Sequence, residues 1–181
     1  RMDYREVYYR DFFNQEFAEK HKMTASSAKH QVWGTWCHSF QEFLNPDIYF
    51  DEHPEYFRMN EQGTRVEDAN GCPSSEGALE EVYKNAIDIG KRYRSTNHKY
   101  YFWLDDGGGV CHCDKCKDLN DADQALIFEN VIIEALKTFD PEATLAHLCY
   151  ANTTQPPTKI KPHEDIFLEF APFYRDWTHP L

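Results

Sequence analysis

Long apolar runs are missing from this 181-residue chain. No stretch reaches the ~18 consecutive apolar residues that a membrane-spanning helix needs. Positive charge is scarce: 19 Lys and Arg stand against 31 Asp and Glu, a formal net charge of −12. That balance argues against nucleic acid, whose phosphate backbone calls for a basic face, and against an anionic membrane surface. Internal repeats and low-complexity tracts are absent. So is a phosphate-binding loop, because Gly107-Gly-Gly109 is not followed by Lys and Ser or Thr and opens no helix directly. No serine-elbow motif occurs, and nothing implies an organic cofactor. A signal peptide is also lacking. The chain begins at Arg1 rather than Met and ends on Trp177-Thr-His-Pro-Leu181 with no terminal helix or polar tail. It therefore reads as a piece of a longer protein.

What is present supports one packed domain of moderate size. Hydrophobic residues make up 41% and charged residues 28%, enough apolar material for a core and too little charge excess for disorder. Aromatic residues reach 15%. Aromatic faces stack on the C–H face of a pyranose, so an acidic, aromatic-rich chain fits a sugar partner, although aromatics are also ordinary core residues.

The most informative segment runs from Tyr100 to Cys116. It opens as a buried strand, Tyr100–Leu104, and places Asp105 and Asp106 at the strand's C-terminal end. Three glycines follow, and then Cys111, Cys113 and Cys116 in a C-x-C-x-x-C spacing. In parallel α/β folds the C-terminal strand ends carry the chemistry.

Elsewhere the pattern alternates. Tyr4–Tyr9 reads as a strand, Phe12–His21 as a helix, and His30–Thr35 as a second strand, followed by a long loop to about Cys72 that contains Pro46, Pro54 and Gly63. Ser74 or Ser75 caps a helix whose apolar stripe is Leu79, Val82, Ala86, Ile89 and Tyr93. Asn120 with Asp123 marks another helix start. The stripe that follows is Ala125, Phe128, Ile132, Ala135, Leu136 and Phe139, closed by Pro141. Thr144–Tyr150 and Asp165–Phe170 read as strands, joined by a proline-rich link, Thr153–Pro162, that holds no helix.

This alternation predicts an α/β fold with a parallel sheet. A doubly wound sheet fits. A partial (β/α) barrel of the TIM type fits better, because polar or charged residues follow each strand: Arg10 and Asp11, Trp36 and His38, Asp105 and Asp106, Asn152, and Tyr174 through Asp176. In a barrel these converge on one mouth. A complete barrel takes ~250 residues, so residues 1–181 would form a single partial barrel domain that stops before the last strands.

Six cysteines are present, Cys37, Cys72, Cys111, Cys113, Cys116 and Cys149. Cys111, Cys113 and Cys116 share one loop with ligand-like spacing, and Cys72 can supply the fourth thiolate of a structural zinc site. A disulfide among the four is the competing reading, favoured in an oxidising compartment. A catalytic metal is disfavoured because all-thiolate sites are usually closed. The spacing also departs from the usual iron–sulfur motifs.

Five elements occur in an order that resembles a known family: His38-Ser-Phe40, Tyr49-Phe-Asp-Glu-His-Pro-Glu-Tyr-Phe57, Gly71-Cys-Pro-Ser-Ser75, Asp106-Gly-Gly-Gly-Val-Cys-His-Cys-Asp-Lys-Cys116 and His179-Pro-Leu181. The family is the bacterial domain-of-unknown-function family numbered four-eight-three-eight. The likeness runs from about Trp33 to Leu181. It implies a glycoside-hydrolase-like barrel related to α-glucuronidases and β-hexosaminidases. It also implies an exported protein, periplasmic or on the cell surface, of a polysaccharide-degrading bacterium.

On that footing the expected catalytic groups are Asp106, Asp105 and Glu169. Asp106 leads because it belongs to the family-like Asp-Gly-Gly-Gly element, as a general acid or a group orienting the sugar. The alternative is a turn in which aspartate caps backbone N–H groups. Adjacent residues on a strand face opposite ways, so the partner carboxylate should come from another strand. Glu169, flanked by apolar residues, is the candidate, with an inward charge satisfied by Arg175 as the alternative; the partner could equally lie in the part of the protein beyond this piece. Trp36 and His38 are expected to stack on and hydrogen-bond the sugar. Tyr150, Asn152, Arg175 and His179 complete the expected binding set, with Arg175 able to take a sugar carboxylate bidentately. The alternatives in function are a non-catalytic carbohydrate-binding barrel and a metal-stabilised interaction module.

Overall fold

The computed structural model describes residues 14–22, 36–68, 70–172, 176, 178 and 179. The strands expected at Tyr4–Tyr9 and His30–Thr35, together with Arg10, Asp11 and Arg175, lie outside the described residues. Among those described, four strands form one parallel sheet in the order β1-β2-β3-β4. They are β1 (Trp36–His38), β2 (Lys99–Trp103), β3 (Thr144–Cys149) and β4 (Ile166–Phe170). The helices are α1 (Gln15–Lys20), α2 (Phe40–Phe43), α3 (Pro46–Tyr49), α4 (Glu76–Arg92) and α5 (Asp121–Lys137), with single 3-10 turns at Pro54–Tyr56 and Ala151–Thr154. The expected mixed α/β class and parallel pairing are present. No helix among the described residues is long and apolar enough to cross a membrane.

Three local expectations change. Trp36 and His38 do not follow the second strand but belong to one, pairing in register with Tyr101 and Trp103. The long loop before Cys72 contains two short helices. Asn45 caps α3 through its side chain, Pro46 supplies a ready-made first helical φ, and Phe40 and Phe43 of α2 bury fully. The proline-rich link begins inside the 3-10 turn at Ala151–Thr154.

Helix starts follow the sequence. The Ser75 side chain accepts from the Ala78 N–H at the start of α4. Asn120 and Asp123 form a reciprocal capping box on α5. Val82, Ala86 and Ile89 of α4 and Ala125, Phe128, Ile132, Ala135 and Leu136 of α5 are buried as expected; Ala78 takes the first buried place on α4, and Leu79, Tyr93 and Phe139 are partly buried against the core. The two helices pack on each other closely enough that a Cβ on Gly90 would lie 2.3 Å from Leu136 Cδ2.

Strand alternation sorts the sheet into two faces. Tyr100 and Phe102 of β2 and Leu145 of β3 join α2, α4 and α5 in the main core. There Phe40 meets Phe128 at 4.7 Å and Phe43 meets Phe102 at 5.1 Å between ring centroids. Tyr101 and Trp103 join Ala146, Leu148 and Phe167 in a second cluster on the other face. On β4 the residues between, Leu168 and Phe170, are 62% and 54% exposed.

Asp123 shows how the irregular link is held. It is fully buried, and its carboxylate accepts the Thr158, Lys159 and Ile160 backbone N–H groups and the Thr158 hydroxyl at 2.8–3.0 Å. Burial would raise its pKa. The hydrogen bonds from Lys159, Ile160, Thr158 and Asn120 outweigh that and hold it down at about 2. The stabilisation is therefore complete above the ordinary aspartate value of ~3.9 and is lost as pH falls through about 2. Asp123→Ala is expected to lower stability at neutral pH by about 2–3 kcal/mol. Urea unfolding midpoints measured down the acid range should show the parent's loss of stability below ~pH 4 flattened in the variant.

Candidate functional site

The C-terminal ends of β1, β2 and β3 open onto one cavity. His38, Trp103, Asp105, Asp106, Tyr150 and Asn152 all line it. His38, Asp106 and Asn152, expected at one end of the sheet, are therefore together. The His38 ring lies 5.8 Å from that of Trp103 and 6.1 Å from that of Tyr150. Its Nδ1 is 2.6 Å from the Leu104 carbonyl, a geometry in which the ring donates and is held fixed.

Register extends this row. His38 is level with Trp103, and Leu148 with Glu169. Carrying the β2–β3 register from Tyr100↔Leu145 forward sets Trp103 level with Leu148. Glu169 thus sits on β4 in the same row as His38, on the strand-face shared with Phe167, and it is half-buried. It does not line the cavity, whose wall ends at β3. Trp36 occupies the register position beside Tyr101, one row below. His179 is exposed and bonded to Asp176 at 2.5 Å, away from the cavity lining.

The adjacent aspartates divide their labour. Asp105 accepts the Gln41 backbone N–H at 2.6 Å. Ser39, the N-cap residue of α2, makes no side-chain cap, so Asp105 caps that helix from a different strand. Burial raises the Asp105 pKa, with the Gln41 hydrogen bond and the charge of His38 opposing it. Asp106 is exposed on the cavity. The capping alternative therefore describes Asp105, and the free carboxylate is Asp106.

Sequence reasoning missed the opposite wall. Asp121, Ala125 and Glu129 of α5 line the cavity at four-residue steps, a stripe of one helical face. The spacing is visible in the sequence, but the apolar stripe beside it dominates the reading. Burial raises the Asp121 carboxyl, against the charge of His112 and a hydrogen bond from Asn152. Glu129 is fully buried, and the His147 Nδ1–H donates to it at 2.7 Å. Burial holds the Glu129 carboxyl up. His147 is raised too, since the hydrogen bond and charge of Glu129 overcome its own burial.

A second site begins one residue past Val110, which lines the cavity. The Sγ atoms of Cys72, Cys111, Cys113 and Cys116 all lie within 4.8 Å of one another, and all four residues are buried. Cys72 Sγ is 3.5 Å from Cys111, 3.8 Å from Cys113 and 3.9 Å from Cys116. Four thiolates bound tetrahedrally at ~2.3 Å from one ion would sit about 3.8 Å apart, whereas disulfide sulfurs sit at ~2.05 Å. All four are free thiols. Donors already point at the sulfurs: the Met59 N–H reaches Cys111 at 3.3 Å, Arg65 Nη1 reaches it at 3.8 Å, and Ser74 Oγ lies 3.2 Å from Cys72. Within the cluster, hydrogen bonds from Cys111 and Cys116 favour the thiolate at Cys72 over the penalty of burial. Gln124 ties the loop to α5, accepting the Cys111 N–H at 2.9 Å and donating to the Cys111 carbonyl at 3.0 Å.

The fold and site define a parallel α/β protein with an acidic, aromatic-walled cleft at its strand ends and a buried four-cysteine cluster compatible with metal binding. The chain belongs to the family described as Domain of unknown function (DUF4838), whose model matches residues 1–181. No curated protein and no solved structure matches it.

The two aspartates should separate in stability measurements. Asp105→Ala removes a helix cap and is expected to lower the unfolding free energy by about 1–2 kcal/mol. Asp106→Ala, at an exposed position, should stay within ~0.5 kcal/mol of the parent. Chemical denaturation of the two variants checks the difference.

Proposed function

We propose that the chain is part of a glycoside-hydrolase-like (β/α) barrel that binds and hydrolyses a polysaccharide-derived sugar at the strand-end cleft. The observation that carries this reading is the convergence of His38, Asp105, Asp106, Tyr150 and Asn152, from three successive strands, on one cavity. The resemblance to sugar-cleaving barrels read from the sequence motifs supports it, and implies an exported, periplasmic or cell-surface setting. In this reading the uncovered outer face of β4, at Leu168 and Phe170, and the row ending at Glu169 belong to a sheet that curves on into further strands.

The roles follow from the geometry. Asp106 is the carboxyl group free to exchange a proton with the glycosidic oxygen. Asp105 holds the start of α2 and so fixes where Asp106 emerges. The Trp103, Tyr150 and His38 rings form the wall against which a sugar ring packs. Asn152 supplies amide hydrogen bonds. Glu169 is the partner carboxylate, subject to the requirement that the two groups stand ~5–9.5 Å apart across the scissile bond. Trp36 and Arg175 remain in the proposed binding set.

A non-catalytic carbohydrate-binding barrel is the second reading. It is favoured by two observations: Asp105 is committed to a helix N–H, and Glu169 stands outside the cavity lining. The two readings part on turnover. In the intact protein, Asp106→Asn is expected to reduce hydrolysis of an aryl glycoside by ~10²–10⁴-fold with sugar binding retained. Tyr150→Ala should instead weaken binding. Sugar binding by the parent without measurable hydrolysis would select the non-catalytic reading.

We also propose that Cys72, Cys111, Cys113 and Cys116 hold a structural zinc ion. Their sulfur spacing, burial and N–H and O–H donors fit a closed tetrathiolate site. When bound, the ion supplies a cross-link between residue 72 and the 111–116 loop and no reaction chemistry. Protein purified without added metal is expected to carry about one zinc per chain, with the four thiols titrating only in denaturant plus chelator. A metal-free protein that has also lost titratable thiols would establish disulfides instead.

A further inference from the structure

The cysteine cluster and the cleft are joined by one buried side chain. Asn70 is 2% exposed and stands two residues before Cys72. Its Oδ1 accepts the Asp105 N–H at 3.0 Å. Its Nδ2 donates toward the Gly108 carbonyl at 2.8 Å and toward the Asp105 and Gly109 carbonyls at 3.3 Å each. One amide thus spans the whole turn that presents Asp106. A Cβ on Gly108 would lie 2.4 Å from Asn70 Nδ2, so this approach requires glycine there.

Both ends of the arrangement run into the cluster. The Asn70 carbonyl accepts the Arg58 N–H at 3.2 Å, Gly71 bridges Phe57, and the Cys72 N–H donates to the Tyr56 carbonyl at 2.7 Å. Asn70 is therefore fixed to the same short ladder that carries Cys72. On the other side the turn passes from Gly109 to Cys111 within two residues. Cys72 and Cys111 face each other at 3.5 Å between sulfurs. Both cysteines are thus joined by short stretches of backbone to the contact between Asn70 and residues 105–109.

We propose that the metal held by the four cysteines sets the shape of the cleft, and that Asn70 is the positioning residue through which it does so. The proposal rests on the metal reading and is independent of the sugar reading. With the ion bound, residues 72 and 111–116 are cross-linked and the Asp105–Gly109 turn is clamped between β2, Asn70 and Cys111. Without it, the two segments separate at the cost of ordinary packing contacts, and the turn keeps its attachments to β2, to the Gln41 N–H and, through Cys111, to Gln124, but loses the clamp through Asn70. Coupling is reciprocal: a residue that transmits the ion's effect to the turn must also transmit the turn's order to the ion.

The test needs no substrate. Hydrogen exchange is followed at the Asp105 amide, with the amides of β3 as the control for global unfolding. Cobalt(II) serves as the spectroscopic probe of the thiolate site. Chelation is expected to speed Asp105 amide exchange by about 5–150-fold, the usual range of coupling between sites, with β3 still protected. Asn70→Ala is expected to weaken cobalt and zinc affinity by a comparable factor while the tetrathiolate cobalt spectrum keeps its form. Unchanged Asp105 exchange after chelation overturns the proposal. So does parent-like metal affinity in Asn70→Ala. If chelation exposes β3 as well, the affinity of Asn70→Ala decides alone. A parent protein that binds neither zinc nor cobalt removes the metal reading itself, a result read directly from elemental analysis.

Discussion

Strand β2 is buried on both of its faces, and the rest of the molecule is arranged around that constraint. Tyr100 and Phe102 need an apolar cover on one side, Tyr101 and Trp103 on the other. Helices α4 and α5 provide the first, and residues of β3 and β4 help provide the second. Each fully buried aromatic contributes roughly 2–3 kcal/mol, so a strand of four such residues leaves little freedom in where it lies. Its C-terminal end, and with it Asp105 and Asp106, is therefore delivered to a fixed place beside His38 and Tyr150.

Beyond the strand ends, hydrophobic burial no longer specifies the backbone. The three irregular segments near the cleft carry few large apolar side chains, and each is instead organised by one buried polar group. Asn70 spans the Asp105–Gly109 turn, Gln124 holds Cys111, and Asp123 gathers residues 158–160. A net hydrogen bond is worth only ~1 kcal/mol, but leaving such a group unsatisfied when buried costs ~1–3 kcal/mol. These residues therefore act more by excluding alternative loop conformations than by adding stability. A metal in the cysteine cluster would act on the same segments, because Asn70 and Gln124 both connect directly to cysteine-bearing backbone.

The acidic side chains around the cleft are similarly divided by environment. Asp106 faces solvent, Asp105 is spent on a helix N-terminus, and Glu129 is buried against His147. Four carboxyl groups in one small region would repel one another if all were charged and equally placed. Burial at Asp105, Asp121 and Glu129 favours their neutral forms and eases that repulsion. The sugar-binding reading draws on this unequal distribution, since a carboxylate that retains its freedom stands out only when its neighbours are engaged.

The sequence by itself determined the periodic elements. The α4 and α5 stripes, a cap at Ser74 or Ser75 and another at Asn120, and the parallel strands near Lys99 and Thr144 are legible because period and capping chemistry are local properties of the chain. The four cysteines were legible for a related reason: three share one short loop, and a tetrahedral site calls for a fourth. The short helix α2 before Cys72 was obscured because its stability comes from burying Phe40 against Phe128 of α5 and Phe43 against Phe102 of β2, not from propensity. Only the tertiary structure separated Asp105 from Asp106, because the N–H that occupies Asp105 belongs to Gln41, sixty-four residues away in the chain. The same holds for Asn70, Glu129 and His147. Their partners are distant in sequence, and a buried polar residue becomes meaningful only when folding has removed water and fixed which group replaces it.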